Sequence, residues 1–170
     1  MQNKKYRPNV AIFVLNRRGE ILTCERNDYP GTWQIPQGGI EAGENSKEAA
    51  IRELYEEIGT RSLKFLAKVP GKFRYDWPKK LRSKRLGRKG FHGQEQIFFI
   101  FQISPWAKIN LSRAAKKDRG IKQEFQEFEF LNPKEFIKRV NSFKKETYQK
   151  ALTKAISKFP ELFEEATVSK

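Results

Sequence analysis

Three glutamates at i, i+3 and i+4, in a short segment with a start and a stop signal, constrain this chain more than any other feature. They are Glu53, Glu56 and Glu57, within residues 45–60. Asn45 followed three residues later by Glu48 is a capping-box pattern and predicts a helix starting there. Gly59 supplies the residue that ends it. At roughly 100° per residue, Ile51, Leu54, Tyr55 and Ile58 fall on one face and the three glutamates on the opposite one. Like charges at that spacing repel by a few tenths of a kcal/mol per pair, and a cation between them reverses the sign.

Three glutamates alone are more often a solvated acidic face than a site. Their neighbours favour a site. Ala49 and Ala50, one turn before Glu53 and Leu54, predict space beside the carboxylates. Arg52 stands i, i+4 from Glu56 and can hold its carboxylate. Gly38, Gly39 and Gly43 before the helix let the backbone approach a ligand closely.

The whole stretch resembles the Nudix hydrolase box, G-x5-E-x7-R-E-U-x-E-E-x-G-U, where U is a bulky apolar residue. Gly38, Glu44, Arg52, Glu53, Leu54, Glu56, Glu57 and Gly59 fill the defining positions; Thr60 departs at the last. The resemblance implies an α/β fold, an α/β/α sandwich with a mixed β-sheet. It also implies an enzyme that uses divalent cations, Mg2+ first and Mn2+ or another as substitutes, to cleave a nucleoside diphosphate linked to another group.

The composition limits the partners. With 35 Lys and Arg against 20 Asp and Glu, the net charge is +15, which favours a polyanion. No basic amphipathic segment with Trp or Leu anchors stands out early, so nucleic acid is expected rather than a membrane. No apolar run approaches the ~20 residues of a membrane span, the N-terminus has no signal-peptide segment, and the single cysteine forms no internal disulfide. A cytoplasmic protein is expected, with a monomer as the default.

Along the chain, the apolar run Val10–Leu15 predicts a buried strand, Asn16–Gly19 a hairpin turn, and Ile21–Arg26 its partner. Cys24 reads as a small hydrophobe and Trp33 as core. Residues 33–39 read as one short strand, Leu63–Val69 as another, and Gln94–Ile103 as a central strand. Residues 72–89 hold nine Lys or Arg against one acid, with Tyr75, Trp77 and Pro78 interleaved; a loop with a phosphate-binding role is expected. Residues 112–122 form a second basic segment, read as a long mobile loop. Glu124–Leu131 returns as a strand with a bulge near Gln126 and Glu127. Asn132-Pro133 caps a short helix, and residues 143–159 form a longer one, with Tyr148, Ala151, Leu152 and Ala155 facing the core. One domain over 1–160 and a partly ordered tail over 161–170 are expected.

Further segments narrow the resemblance. Tyr6–Val10, Trp33–Gly39, Gly93–Gln96 and Ser142–Lys144 are similar to those of the bacterial RNA pyrophosphohydrolases, whose relatives include the dinucleoside polyphosphate hydrolases. That resemblance implies action on 5′-triphosphorylated RNA. It implies metal ligation by Glu53, Glu56, Glu57 and Glu124, with Glu53 or Glu57 taking a proton. Arg7 and Tyr75 would contact the 5′ phosphates, Phe143 would stack on a base with Lys144 beside the RNA, and Arg26 and Gly38 would line the substrate. Arg52 and Gly59 would be structural supports. The sequence departs from the family at Asn27, where a second arginine is frequent, and at Glu95, where lysine is common. Diadenosine tetraphosphate hydrolysis is the competing activity, and non-catalytic RNA binding the competing class.

Overall fold

The computed structural model describes residues 3–112 and 122–168. Eight strands form one mixed sheet: β1 (Tyr6–Leu15), β2 (Ile21–Arg26), β3 (Trp33–Gln34), β4 (Gln37–Gly39), β5 (Leu63–Lys68), β6 (Phe73–Asp76), β7 (Gly93–Ile103) and β8 (Phe125–Leu131). The spine runs β3-β2-β1-β7-β5, with β4 on β1, β6 on β7 and β8 on β2. Among the described residues only β1 and β7 pair in parallel, from Tyr6 opposite Gly93 to Leu15 opposite Gln102.

The two central strands show why the sheet carries helices on both faces. In β1, Val10, Ile12 and Val14 enter one core while Ala11, Phe13 and Leu15 enter the other. In β7, Phe99, Phe101 and Ile103 join the first set, and Phe98 and Ile100 the second. Helix α1 (Ser46–Ile58) covers the first face with Ala49, Ala50, Leu54 and Ile58. On the second, α3 (Pro133–Arg139), α4 (Lys145–Lys158) and α5 (Glu164–Val168) pack, with Phe136, Tyr148, Ala151, Leu152 and Ala155 in the core and Phe163 beside them. This is the expected α/β/α sandwich.

Several local expectations hold. The Asn45 side chain accepts from Glu48 N at 2.9 Å while Glu48 Oε2 accepts from Asn45 N at 2.9 Å, and Gly59 closes α1 with φ 70°. The β1–β2 hairpin turns at Asn16–Gly19. Cys24 is buried, and Gln126 is the extra residue of a bulge between β8 and β2.

Others are corrected. Residues 72–89 are not one loop: they contain β6 and helix α2 (Lys79–Lys89), started by the Pro78 carbonyl accepting from Leu81 and Arg82 N. Lys and Arg are good helix formers, so charge does not forbid this. The stretch 33–39 is two strands, interrupted at Ile35-Pro36, where the Pro36 carbonyl turns to accept from Ile12 N. Trp33 is half-buried, with the Arg139 guanidinium 4.7 Å over its ring. Helix α4 begins two residues late, because Ser142 holds Lys144 and Lys145 in a turn. Residues 160–168 pack as a 3-10 turn and α5, with Phe163 and Ala166 buried. The loop expected over 112–122 lies mostly outside the described residues. Among the described residues, no helix is long and apolar enough to cross a membrane.

Candidate active site

The site lies where β1 changes partner. Its first half pairs with β4, Val10 opposite Gly38 and Ala11 opposite Gln37, while its last residue, Leu15, pairs with Ile21 of β2. The glycine-bearing strand is thereby laid against the carboxylate side of α1.

Glu53 and Glu57 do not stand opposite the apolar face, as the helical wheel suggests. They are 8% and 4% exposed and share the buried stripe with Ala49, Ala50, Leu54 and Ile58, whereas Ile51 is 48% exposed. The cause is β4, which covers the helix from the side. A Cβ on Gly38 would collide with the Glu53 carboxylate, so any other residue there would displace that side chain. Glu57 Oε2 accepts from Gln37 N at 3.0 Å. Ala49 and Ala50 are themselves fully buried and let α1 approach the sheet closely.

Arg52 organises the outer edge. Its Nε and Nη2 donate to Glu44 at 2.7 and 2.9 Å, Nη2 also to the Gly39 carbonyl at 2.8 Å, and Nη1 to Glu53 at 2.8 Å. The i, i+4 contact with Glu56 is the weaker one, at 3.4 Å. The guanidinium beside Glu44 holds that carboxyl below its ordinary range. Glu53 and Glu56 thus converge on one cationic nitrogen.

The second carboxylate pair meets a second arginine. Arg26 Nη1 lies 3.6 Å from Glu124, its Nε and Nη2 donate to Asp28 at 2.8 and 2.6 Å, and it also feels the charge of Glu57. Glu124 sits just before β8, anchored by its carbonyl accepting from Asn27 N. Among the described residues no three of these acids already converge as a preformed metal cage. Even so, the donor set suits a hard divalent cation: all-oxygen carboxylates on two elements, each pair gathered around a positive charge.

The expected RNA-contacting residues separate into two groups. Arg7 is exposed on β1, and its guanidinium lies where a Cβ on Gly39 would sit. Phe143 is exposed, with its ring 5.6 Å from that of Tyr75. Tyr75 itself is buried, with its hydroxyl bonded to Gln94, and Lys144 is 6% exposed, with Nζ donating to Gln34 Oε1 at 2.8 Å. Both side chains are thus turned toward protein partners in this structure. Glu95 binds Lys72 and Arg74, which hold its carboxyl below the usual range. Gly59 is structural: a Cβ there would strike the Asn110 carbonyl. Gln34 and Gln37 lie in a segment that carries the resemblance, but the sequence assigns them no role because their partners Lys144 and Glu57 lie far along the chain.

Residues 5–151 match the NUDIX domain family. A protein named RNA pyrophosphohydrolase from a Nitratiruptor species is 39% identical over 156 residues, covering 89% of this chain and 94% of that one. A protein of the same name from Helicobacter pylori is 36% identical over the same shares, and Nudix hydrolase 25 of Arabidopsis thaliana is 34% identical over 86% and 84%. Among solved structures, the E. coli dihydroneopterin triphosphate pyrophosphohydrolase superposes with a TM-score of 0.68 at 17% identity, covering 91% of this chain and 99% of that one. A C. elegans Ap4A hydrolase binary complex gives 0.64 at 16%, covering 91% and 98%. At these identities the structures speak to the fold.

Proposed function

The chain belongs to the Nudix domain family, and from that premise we propose that it is an RNA 5′-pyrophosphohydrolase, converting 5′-triphosphorylated to 5′-monophosphorylated RNA and so initiating mRNA decay. Hydrolysis of a phosphoanhydride bond is the chemistry of this family, and Nudix hydrolases use divalent cations. The choice of RNA rests on one observation. The relatives matched over 89% of the chain are named for that substrate. A basic helix, α2, and an exposed aromatic ring, Phe143, suit it.

Glu53, Glu56, Glu57 and Glu124 would hold Mg2+, with Mn2+ as a substitute. When bound, the cation supplies Lewis acidity toward the phosphate oxygens and the attacking water. The protein's own groups do the rest. Glu53 or Glu57 takes the proton of the water, each pre-oriented: Glu53 by Arg52 and Gly38, Glu57 by Gln37 N–H. Arg7, exposed beside Gly39, binds the 5′ phosphates, and Arg26 and Gly38 line the substrate. Phe143 stacks on a nucleobase, supported from behind by Tyr75 and Lys144. We place the protein in the cytoplasm as a monomer.

The test compares pyrophosphate or phosphate release from 5′-triphosphorylated RNA with cleavage of diadenosine tetraphosphate to mononucleotides, with Mg2+ and then with EDTA. Preferential Mg2+-dependent release from RNA supports the assignment; faster turnover of the dinucleotide overturns it. RNA binding without any release would mark a non-catalytic protein.

A further inference from the structure

Behind the carboxylates lies a polar chain that the proposed reaction does not use. Gln37, whose backbone N–H holds Glu57, turns its side chain into the protein. Its Oε1 accepts from the Tyr148 hydroxyl at 2.9 Å and from Gln96 Nε2 at 3.1 Å. Gln96 Nε2 also donates to Asn9 Oδ1 at 2.8 Å. Four elements meet there: β1, β4, β7 and α4.

The ring and the hydroxyl of Tyr148 have separable jobs. The ring stacks on Phe136 and meets Phe98 edge-on, both at 6.1 Å, so packing alone explains an aromatic residue. Phenylalanine would pack equally well. The hydroxyl sits fully buried, where an unbonded polar atom is costly, and it donates to Gln37 Oε1. Gln37 directly follows Pro36, in the stretch that joins β3 to β4. Tyr148 therefore pins β4 just after the break.

We infer that Tyr148 and Gln96 are positioning residues that fix Gln37, and through its N–H the carboxylate of Glu57, for the metal site. Helix α4 starts immediately after Phe143 and Lys144, and Tyr148 N bonds the Lys144 carbonyl at 2.9 Å. One rigid element thus spans the base-stacking surface and the Glu57 support. The inference rests on the metal-site reading above.

Mn2+ binding in the absence of RNA, followed by the paramagnetic resonance of the free ion, tests it without relying on turnover. Hydrogen-bonded supports of a ligand typically change metal affinity by about 10- to 100-fold. One step further out, Tyr148→Phe and Gln37→Met should each weaken Mn2+ binding by about 3- to 10-fold. The double variant should lose little more than either single, because both cut the same link. Gln37 is only half-buried, so Gln37→Met keeps the test open if Tyr148→Phe does not fold. Wild-type Mn2+ affinity in Gln37→Met, with or without a lowered Tm, overturns the positioning role alone. Failure of the wild-type protein to bind Mn2+ at all overturns the metal site with it.

Discussion

The Glu53 carboxylate occupies the volume that a side chain at residue 38 would fill. The glycine of the motif is therefore a packing requirement of the glutamate fifteen positions later, and the two positions cannot vary independently. Gly38→Ala should cost about 100-fold in kcat, the order expected when a reacting group is displaced by about an ångström. Its Tm should fall by only a few degrees, since the alternative to collision is a shift of the Glu53 side chain. Steady-state kinetics beside thermal unfolding would separate the two effects.

Arg52 is the hub for Glu44, Glu53 and the Gly39 carbonyl, and a point charge cannot replace its fork. Arg52→Lys should lose about 2 kcal/mol of stability, the scale of a charge-assisted hydrogen bond, together with most of the activity. Urea unfolding gives the first figure. Unchanged stability would mean that the Glu44 pair contributes nothing.

The Glu44 carboxyl, held below its ordinary range first by the Arg52 hydrogen bond, links stability to pH. Because the folded-state value is depressed, the contribution is present above the unfolded value of about 4.3 and is lost as pH falls through the folded one. The Tm difference between wild type and Glu44→Gln should hold from neutral pH down to about pH 5, then shrink on further acidification. A difference independent of pH would contradict the assignment.

Phe143 is 42% exposed and backed by Tyr75, an aromatic face presented outward. Phe143→Ala should raise KM for triphosphorylated RNA by about tenfold, the scale of one base–aromatic stack, with kcat largely kept. An equal loss in kcat instead would place Phe143 in the chemistry.

Much of this was legible in the chain itself, for local reasons. Asn45, Glu48 and Gly59 specify the ends of α1 through contacts within a few residues, and the continuous apolar run Val10–Leu15 marks a strand buried on both faces. Geometry set by distant partners was not legible. Glu53 and Glu57 are buried because β4 lies across the helix, which a helical wheel does not contain. Arg52 prefers Glu44, eight residues back in a loop, over Glu56 one turn ahead. Tyr75 and Lys144 turn inward to Gln94 and Gln34, the latter 110 positions away. Phe163 completes a core whose other fully buried members end by residue 155.

In the proposed mechanism the carboxylates of α1 perform the hydrolysis while other surfaces hold the RNA. Glu53→Gln, nearly isosteric and still bonded by Arg52, isolates it. The measurement is the 5′ end of a labelled triphosphorylated RNA after incubation with each protein in Mg2+, beside the Kd for that RNA. Wild type should yield the 5′ monophosphate, and the variant should bind with similar Kd and leave the triphosphate intact. Substantial conversion by Glu53→Gln would contradict the account.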